Sequence, residues 1–221
     1  ASITKIMTAL LVLEHCNLND TVTFSQTAVT NLESGAVTLG VQAGDQFTVE
    51  QCLYGLLLKS ANEIANGLAE HVSGSISGFA DLMNQKAASL GCTNTHFVNP
   101  NGLPDENHYT SVYDLYLIFQ NAVQDQTFLD IISTMSYDVV YTDVNGAGVE
   151  KTWENTNQYL TGKEKAPEGI TVVGGKTGTT GAAGYCLVMG SREDTSDEYI
   201  SVVMKAPSRP GLYDNMTNII S

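Results

Sequence analysis

The chain has 221 residues, 43% of them hydrophobic, and a mean hydropathy of −0.04, so it carries enough apolar material for a sizeable core and does not read as disordered. Ten Lys and Arg against 24 Asp and Glu give a net charge of −14, which argues against nucleic acid as a partner, because phosphate binding needs clustered cations. No run reaches ~18 uninterrupted apolar residues; four scattered cysteines (Cys16, Cys52, Cys92 and Cys186) lack C-x-x-C spacing, which argues against a zinc site and for buried free thiols, with one disulfide left open in an oxidising compartment.

From Ile3 the apolar residues fall at 3, 6, 7, 10, 11 and 13, a helical period that runs out near His15–Asn17. DTVTFSQTAV then reads as a short strand and turn, and ESGAVTLGVQAGDQFTVEQ as Gly-rich loop. Thr48 with Gln51 three residues later predicts a capping box opening the helix VEQCLYGLLLKS. A second helix follows at about Ala61–His71. A third is predicted over SGFADLMNQKAASLG, with Ser77 as cap and Gly91 as left-handed stop. CTNTHFVNPNGLPDENHYT has no periodicity and reads as loop; SVYDLYLIFQNAVQ, with a Ser111…Asp114 start, and TFLDIISTM read as helices.

After Tyr137 the texture changes. SYDVVYT and VEKTWEN bracket NGAG and predict a hairpin. GITVVGGKTGT, GYCLVMGS and EYISVVMKA predict an antiparallel meander, EDTSDE (193–198) a solvated turn, and GLYDNMTNIIS a closing helix. The chain thus reads helix-rich over 1–135 and strand-rich over 137–206, which predicts an α/β fold of the α+β type: an antiparallel β-sheet flanked by helices, with a helical lobe inserted.

Three short stretches can carry chemistry. Ser2 and Lys5 lie at i, i+3, on one face of a helix. A serine hydroxyl needs a base to take its proton, and a lysine stripped of its own proton by burial is such a base. Alone this proves little, since Ser is an ordinary N-cap and S-x-x-K should occur about once by chance in a chain this long. Ser60-Ala61-Asn62 sits between two predicted helices; Ser60 with Glu63 also reads as a plain capping box. Lys176-Thr177-Gly178 falls on a glycine-flanked strand, where Lys and Thr make a slot for a carboxylate and Gly leaves room for a peptide beside the strand. K-T-G arises by chance in only about one such chain in twenty. The same stretch is not a nucleotide loop: GGKTG lacks the G-x-x-x-x-G-K-[ST] spacing and runs on as strand.

In order, S-x-x-K, S-x-N and K-T-G are the signature set of penicillin-binding proteins and serine β-lactamases. With ASITKIMTALLVLEH, LLLKSANEIANGLAEH, FVNPNGLPDENHYTSVYDL, ENTNQYL and GGKTGTTGAAGYCLV, the chain resembles the serine-type D-alanyl-D-alanine carboxypeptidases, from Ser2 to about Met204. The resemblance implies Ser2 as nucleophile, Lys5 as its base, and Ser60 as proton relay to the leaving D-alanine. It implies Asn62 as holder of the substrate's peptide amide and Lys176 and Thr177 as carboxylate site beside Gly178. Backbone N–H groups of Ser2 and Thr179 would form the oxyanion hole. It implies no metal and no cofactor. The expected partners are a peptidoglycan stem peptide ending in D-Ala-D-Ala and β-lactams, outside the cytoplasm of a bacterium, with membrane contact only through segments absent from this chain. It also implies a single catalytic domain over 1–221 that lacks strands usual before the S-x-x-K helix, and Thr179 stands where relatives often carry a bulkier residue. The rival readings are a D,D-endopeptidase or transpeptidase, a β-lactamase, for which no E-x-x-L-N stretch is present, and an inactive penicillin-recognition domain.

Overall fold

The computed structural model describes residues 1–30 and 32–221. A 3-10 turn, Ser2–Thr4, leads straight into helix α1, Lys5–His15. Every residue of α1 from Lys5 to Val12 is buried, as expected of a helix apolar on most of its faces. It packs against α3 (Val49–Lys59), α4 (Asn62–Ser73), α5 (Ile76–Ser89), α6 (Val112–Ala122) and α7 (Gln126–Ile132). Each fully buried aliphatic side chain of such a helix contributes about 1.5–3 kcal/mol, so α1 is the axis of the helical part. A single-turn helix α2, Gln26–Val29, lies between strand β1 (Thr21–Thr23) and strand β2 (Gln46–Thr48).

The strands form two antiparallel sheets, where the sequence reading expected one. β1 and β2 join the predicted hairpin, β3 (Ser136–Thr142) and β4 (Gly148–Glu154), in the order β1-β2-β3-β4. Aromatic packing explains the join: Phe47 on β2 stacks on Tyr141 of β3 at 4.2 Å between ring centroids and meets Phe24 edge-on at 5.3 Å. The predicted meander makes the other sheet: β5 (Ile170–Thr180), β6 (Gly184–Glu193) and β7 (Glu198–Ala206), order β5-β6-β7. Between the two sheets in sequence comes a one-turn helix α8, Gln158–Thr161, and the chain closes with α9, Arg209–Ile220, packed on β6 and β7. β5 is an edge strand, and its outer side faces the 3-10 turn.

The Thr48–Gln51 capping box forms in full, and Ser111 caps α6 through the Asp114 N–H. Gly91 adopts the left-handed conformation expected of a stop, φ +83°. Two cap readings are corrected. Ser75, not Ser77, caps α5, because Gly74 (φ +77°) ends α4 and Ser75 is the first side chain able to accept from Gly78 N–H. Ser60 and Glu63 form no capping box: Ser60 ends α3, and Glu63 turns away to the backbone of Leu39. All four cysteines are free, and of them Cys16 is only half-buried, beyond the end of the buried stretch of α1. No helix among the described residues is long and apolar enough to cross a membrane.

Candidate active site

The three motifs meet. Ser2, Ser60, Thr177, Gly178 and Thr179 line one groove of about 430 Å³, bounded by the 3-10 turn, the α3–α4 junction and the outer edge of β5. Lys5, Asn62 and Lys176 stand directly behind its wall, buried to 0%, 3% and 1% exposure. A larger cavity of about 570 Å³ lies between α6, α7 and the β5–β7 sheet, but no lysine lines it.

Lys5 reaches Ser2 one turn back. Its Nζ lies 2.7 Å from Ser2 Oγ, 2.8 Å from Asn62 Oδ1 and 2.6 Å from the Asn101 carbonyl oxygen. Two of these partners can only accept, whereas the Ser2 hydroxyl can donate. A neutral amine fits this cage: two N–H groups to the two carbonyl oxygens and a lone pair toward the Ser2 proton. Burial pushes the Lys5 amine well below its usual range, the positive charge of Lys176 pushes the same way, and Glu63 pulls back. The site therefore sets an amine of lowered proton affinity beside a hydroxyl, a pairing able to run acyl transfer without a histidine.

Ser60 sits at φ +60°, a left-handed conformation that costs a serine of order 1 kcal/mol. It breaks the chain between α3 and α4, and the Ala61 N–H reaches back to the Gly55 carbonyl at 3.3 Å. The turn presents Ser60 Oγ to Lys176 Nζ, which also donates to the Thr177 carbonyl at 2.6 Å. Burial lowers the Lys176 amine to about 7. Thr177 Oγ1 lies 2.6 Å from Thr156 Oγ1, so its hydroxyl is held at the groove wall.

Asn62, expected to hold substrate, is also engaged within the protein. Its Oδ1 holds Lys5, and its Nδ2 and backbone N–H both donate to the Val37 carbonyl, at 3.1 and 3.0 Å. It thereby ties the base to the loop whose Val37 lines the groove. Glu63 ties the same loop through Leu39 N–H at 2.8 Å, and burial raises its carboxyl to about 7.

Sequence reasoning missed several participants. The Asn101 carbonyl is aimed at Lys5 by a pinned loop, in which Asn101 Nδ2 donates to Asn66 Oδ1 and Asn99 Oδ1 accepts from Gly102 N–H. The clue is the N-P-N-G run, a turn signature within the aperiodic stretch. Arg209, in the first turn of α9, lines the groove, with its guanidinium 5.9 Å from the Tyr185 ring centroid. It is one of only two arginines in the chain, which was the available signal. With Lys59 and Lys163 on the wall and Lys176 behind it, the groove gathers cations in a strongly acidic chain and so favours a carboxylate ligand.

The Lys176 amine makes stability pH-dependent. With a folded value of about 7 against an ordinary 10.5, the unfolded chain binds a proton between those limits that the folded chain does not. Its contribution to stability therefore rises with pH across about 7 to 10.5 and is lowest below 7. In Lys176→Met the slope of unfolding free energy against pH, from urea melts at pH 7, 8 and 9, should fall by up to ~1.4 kcal/mol per unit. Equal slopes would show that the amine is not desolvated as described.

A nucleophilic hydroxyl paired with a proton-shedding lysine, on helices packed over an antiparallel sheet, defines the class of serine–lysine acyl-transfer enzymes. The chain belongs to the peptidase S11 family, D-alanyl-D-alanine carboxypeptidase, whose family model matches residues 1–208. It is 34% identical over 200 residues to the D-alanyl-D-alanine carboxypeptidase DacF of Bacillus subtilis, covering 87% of this chain and 48% of that protein. It is 34% identical over 233 residues to the D-alanyl-D-alanine carboxypeptidase of Streptomyces sp. K15, covering all of this chain and 77% of that one. The crystal structure of the Streptomyces K15 DD-transpeptidase superposes with a TM-score of 0.90 at 31% identity, over 99% of this chain and 84% of that one. The chain thus spans about half of the Bacillus relative and most of the Streptomyces one.

Proposed function

We propose that this chain is a catalytic domain that cleaves the terminal D-alanine from peptidoglycan stem peptides ending in D-Ala-D-Ala, through an acyl-enzyme on Ser2. The observation that carries the reading is the Lys5 cage, which holds a buried amine of lowered proton affinity 2.7 Å from the Ser2 hydroxyl. Ser2 Oγ attacks the carbonyl of the penultimate D-alanine as Lys5 accepts the proton. The developing oxyanion is received by the Ser2 and Thr179 N–H groups; such donors are worth a few kcal/mol each. Ser60, held by Lys176, relays the proton that Lys5 took on to the departing D-alanine nitrogen, which leaves Lys5 neutral again and Ser60 with its hydroxyl intact. The substrate carboxylate lies against Thr177 and Arg209, with the Lys176 charge behind. Water then attacks the ester, with Lys5 again as base. Asn62 acts by positioning Lys5 and the Val37 loop. No step calls for a metal or cofactor. Such a substrate lies in the bacterial cell wall, so the domain works outside the cytoplasm.

A β-lactam presents the same carbonyl and carboxylate, so it acylates Ser2 as well. Incubation with benzylpenicillin should add one penicilloyl mass, slowly lost, and peptide mapping should place it on the peptide carrying Ser2. A pentapeptide ending in D-Ala-D-Ala should release D-alanine. Absence of an adduct would sink the reading, and rapid turnover of a chromogenic cephalosporin without an adduct would make the chain a β-lactamase. The endopeptidase reading has two relatives behind it, D-alanyl-D-alanine endopeptidases of Escherichia coli and Pseudomonas aeruginosa, each 33% identical over 86% of this chain and 58% of its own length. Cleavage of cross-linked muropeptides in preference to pentapeptide would favour it.

A further inference from the structure

At the far end of α1 from Ser2, three metal-binding side chains of different kinds converge. Cys16 follows the last residue of α1, Asp20 lies in the turn before β1, and His71 lies in the last turn of α4. The Cys16 Sγ, an Asp20 carboxylate oxygen and a His71 ring nitrogen all lie within 4.8 Å of one another. Cys16 and Asp20 are half-buried and His71 is exposed, so the group opens to solvent on one side. Among the described residues no hydrogen bond or ion pair joins the three; Asp20 Oδ2 accepts only from Asn17 N–H, at 3.0 Å. The backbone around them is fixed: Val49 N–H donates to the Asp20 carbonyl at 2.9 Å and Glu50 N–H to that of Leu18 at 3.0 Å.

We propose that Cys16, Asp20 and His71 bind a zinc ion that staples the end of α1 to the end of α4. A thiolate, an imidazole and a carboxylate form a mixed soft and borderline set, which suits Zn²⁺ and not the all-oxygen shells of Mg²⁺ or Ca²⁺. Bonds of ~2.3 Å to sulfur and ~2.0–2.2 Å to nitrogen and oxygen put tetrahedral ligands roughly 3.3–3.8 Å apart. The three atoms therefore need to draw in by about 1 Å, which the exposed His71 side chain supplies by rotating. Water takes the fourth position. Binding displaces the Cys16 proton to solvent, and the two anionic ligands then balance the charge of the ion. The cysteine spacing hid this site, because its ligands come from three separate elements rather than from a C-x-x-C loop. Lys5 opens α1 and Cys16 follows its last residue, a full eleven-residue helix at ~1.5 Å per residue, so the ion is structural and takes no part in acyl transfer.

The test uses the whole chain, reduced and freed of metal by chelation. Added Co²⁺ should give a thiolate-to-cobalt charge-transfer band that saturates at one equivalent and disappears on adding Zn²⁺. Cys16→Ser should lose the band, and His71→Ala, at an exposed position that leaves folding intact, should weaken Zn²⁺ binding by about ten-fold or more. At Zn²⁺ ~100-fold above its Kd the Tm of the unsubstituted chain should rise by about 5 °C or more. Penicillin should acylate Ser2 at the same rate with and without zinc. No band, a band that survives Cys16→Ser, or a Tm shift retained in His71→Ala would overturn the site; acylation that requires zinc would overturn its structural role.

Discussion

Lys5→Met should slow acylation of Ser2 by penicillin by about 10³-fold, within the range expected for removal of a general base. Methionine fills most of the lysine's volume, one atom shorter, but has no basic amine, so Ser2 Oγ keeps its proton. The substitution leaves Asn62 Oδ1 and the Asn101 carbonyl buried without donors, at about 1–3 kcal/mol each, so folding must be checked by Tm. Lys5→Arg separates the two effects: the guanidinium supplies donors to both oxygens and keeps a positive charge, yet cannot give up its proton. It should be as slow as Lys5→Met. If Lys5→Arg retained more than a tenth of the wild-type rate, Lys5 would be an electrostatic partner and not a base.

The pH dependence follows from the same cage. The proposed mechanism uses Lys5 in its neutral form, which burial and the nearby Lys176 charge favour by lowering its proton affinity. As pH falls the amine is protonated and acylation slows, up to tenfold per unit once the ammonium form dominates. In Lys5→Met the small residual rate should be flat over that range. Glu63, whose carboxyl titrates near 7, opposes the shift of Lys5 while charged. Its protonation on the acid side therefore helps to keep Lys5 neutral and broadens the working range downward.

What the sequence showed was local, and what it hid came from packing between distant segments. The S-x-x-K pair needed only the pitch of one helix, and that helix forms with Lys5 one turn from Ser2. The Thr48–Gln51 box and the β3–β4 hairpin likewise depend on neighbours in sequence. The reading of Ser60 and Glu63 as a capping box failed for the opposite reason. Glu63 is drawn to a loop 24 residues earlier, and the left-handed Ser60 bonds a lysine 116 residues later. The split into two sheets was equally invisible, since it turns on Phe47 packing against Tyr141, 94 positions further on. Asn101 reaches the base through its carbonyl, a group every residue has, so its side chain gave no direct sign of the contact.

Gly178→Ala should lower the acylation rate by about 10²–10³-fold, the cost of misplacing an oxyanion donor. A Cβ at this position would lie 2.8 Å from the backbone nitrogens of both Ser2 and Ile3. Those atoms are backbone, so neither can swing aside, and β5 must separate from the 3-10 turn. That contact sets the spacing between the Ser2 and Thr179 N–H groups, because Gly178 is the last residue before Thr179 on the strand edge facing the turn. The requirement is for closeness and not for an unusual dihedral, which distinguishes Gly178 from the left-handed glycines of the loops. Overpacking of this kind costs about 1–3 kcal/mol, so Tm should fall while the chain still folds. Thr179→Ala supplies the contrast: it keeps the backbone N–H and removes only an exposed side chain, so acylation should stay within about tenfold of wild type, on the scale of a lost substrate contact. Rates by stopped-flow with a fluorescent penicillin decide the matter, and a Gly178→Ala chain that acylates as fast as Thr179→Ala would show that the approach of β5 to the turn does not set the oxyanion site.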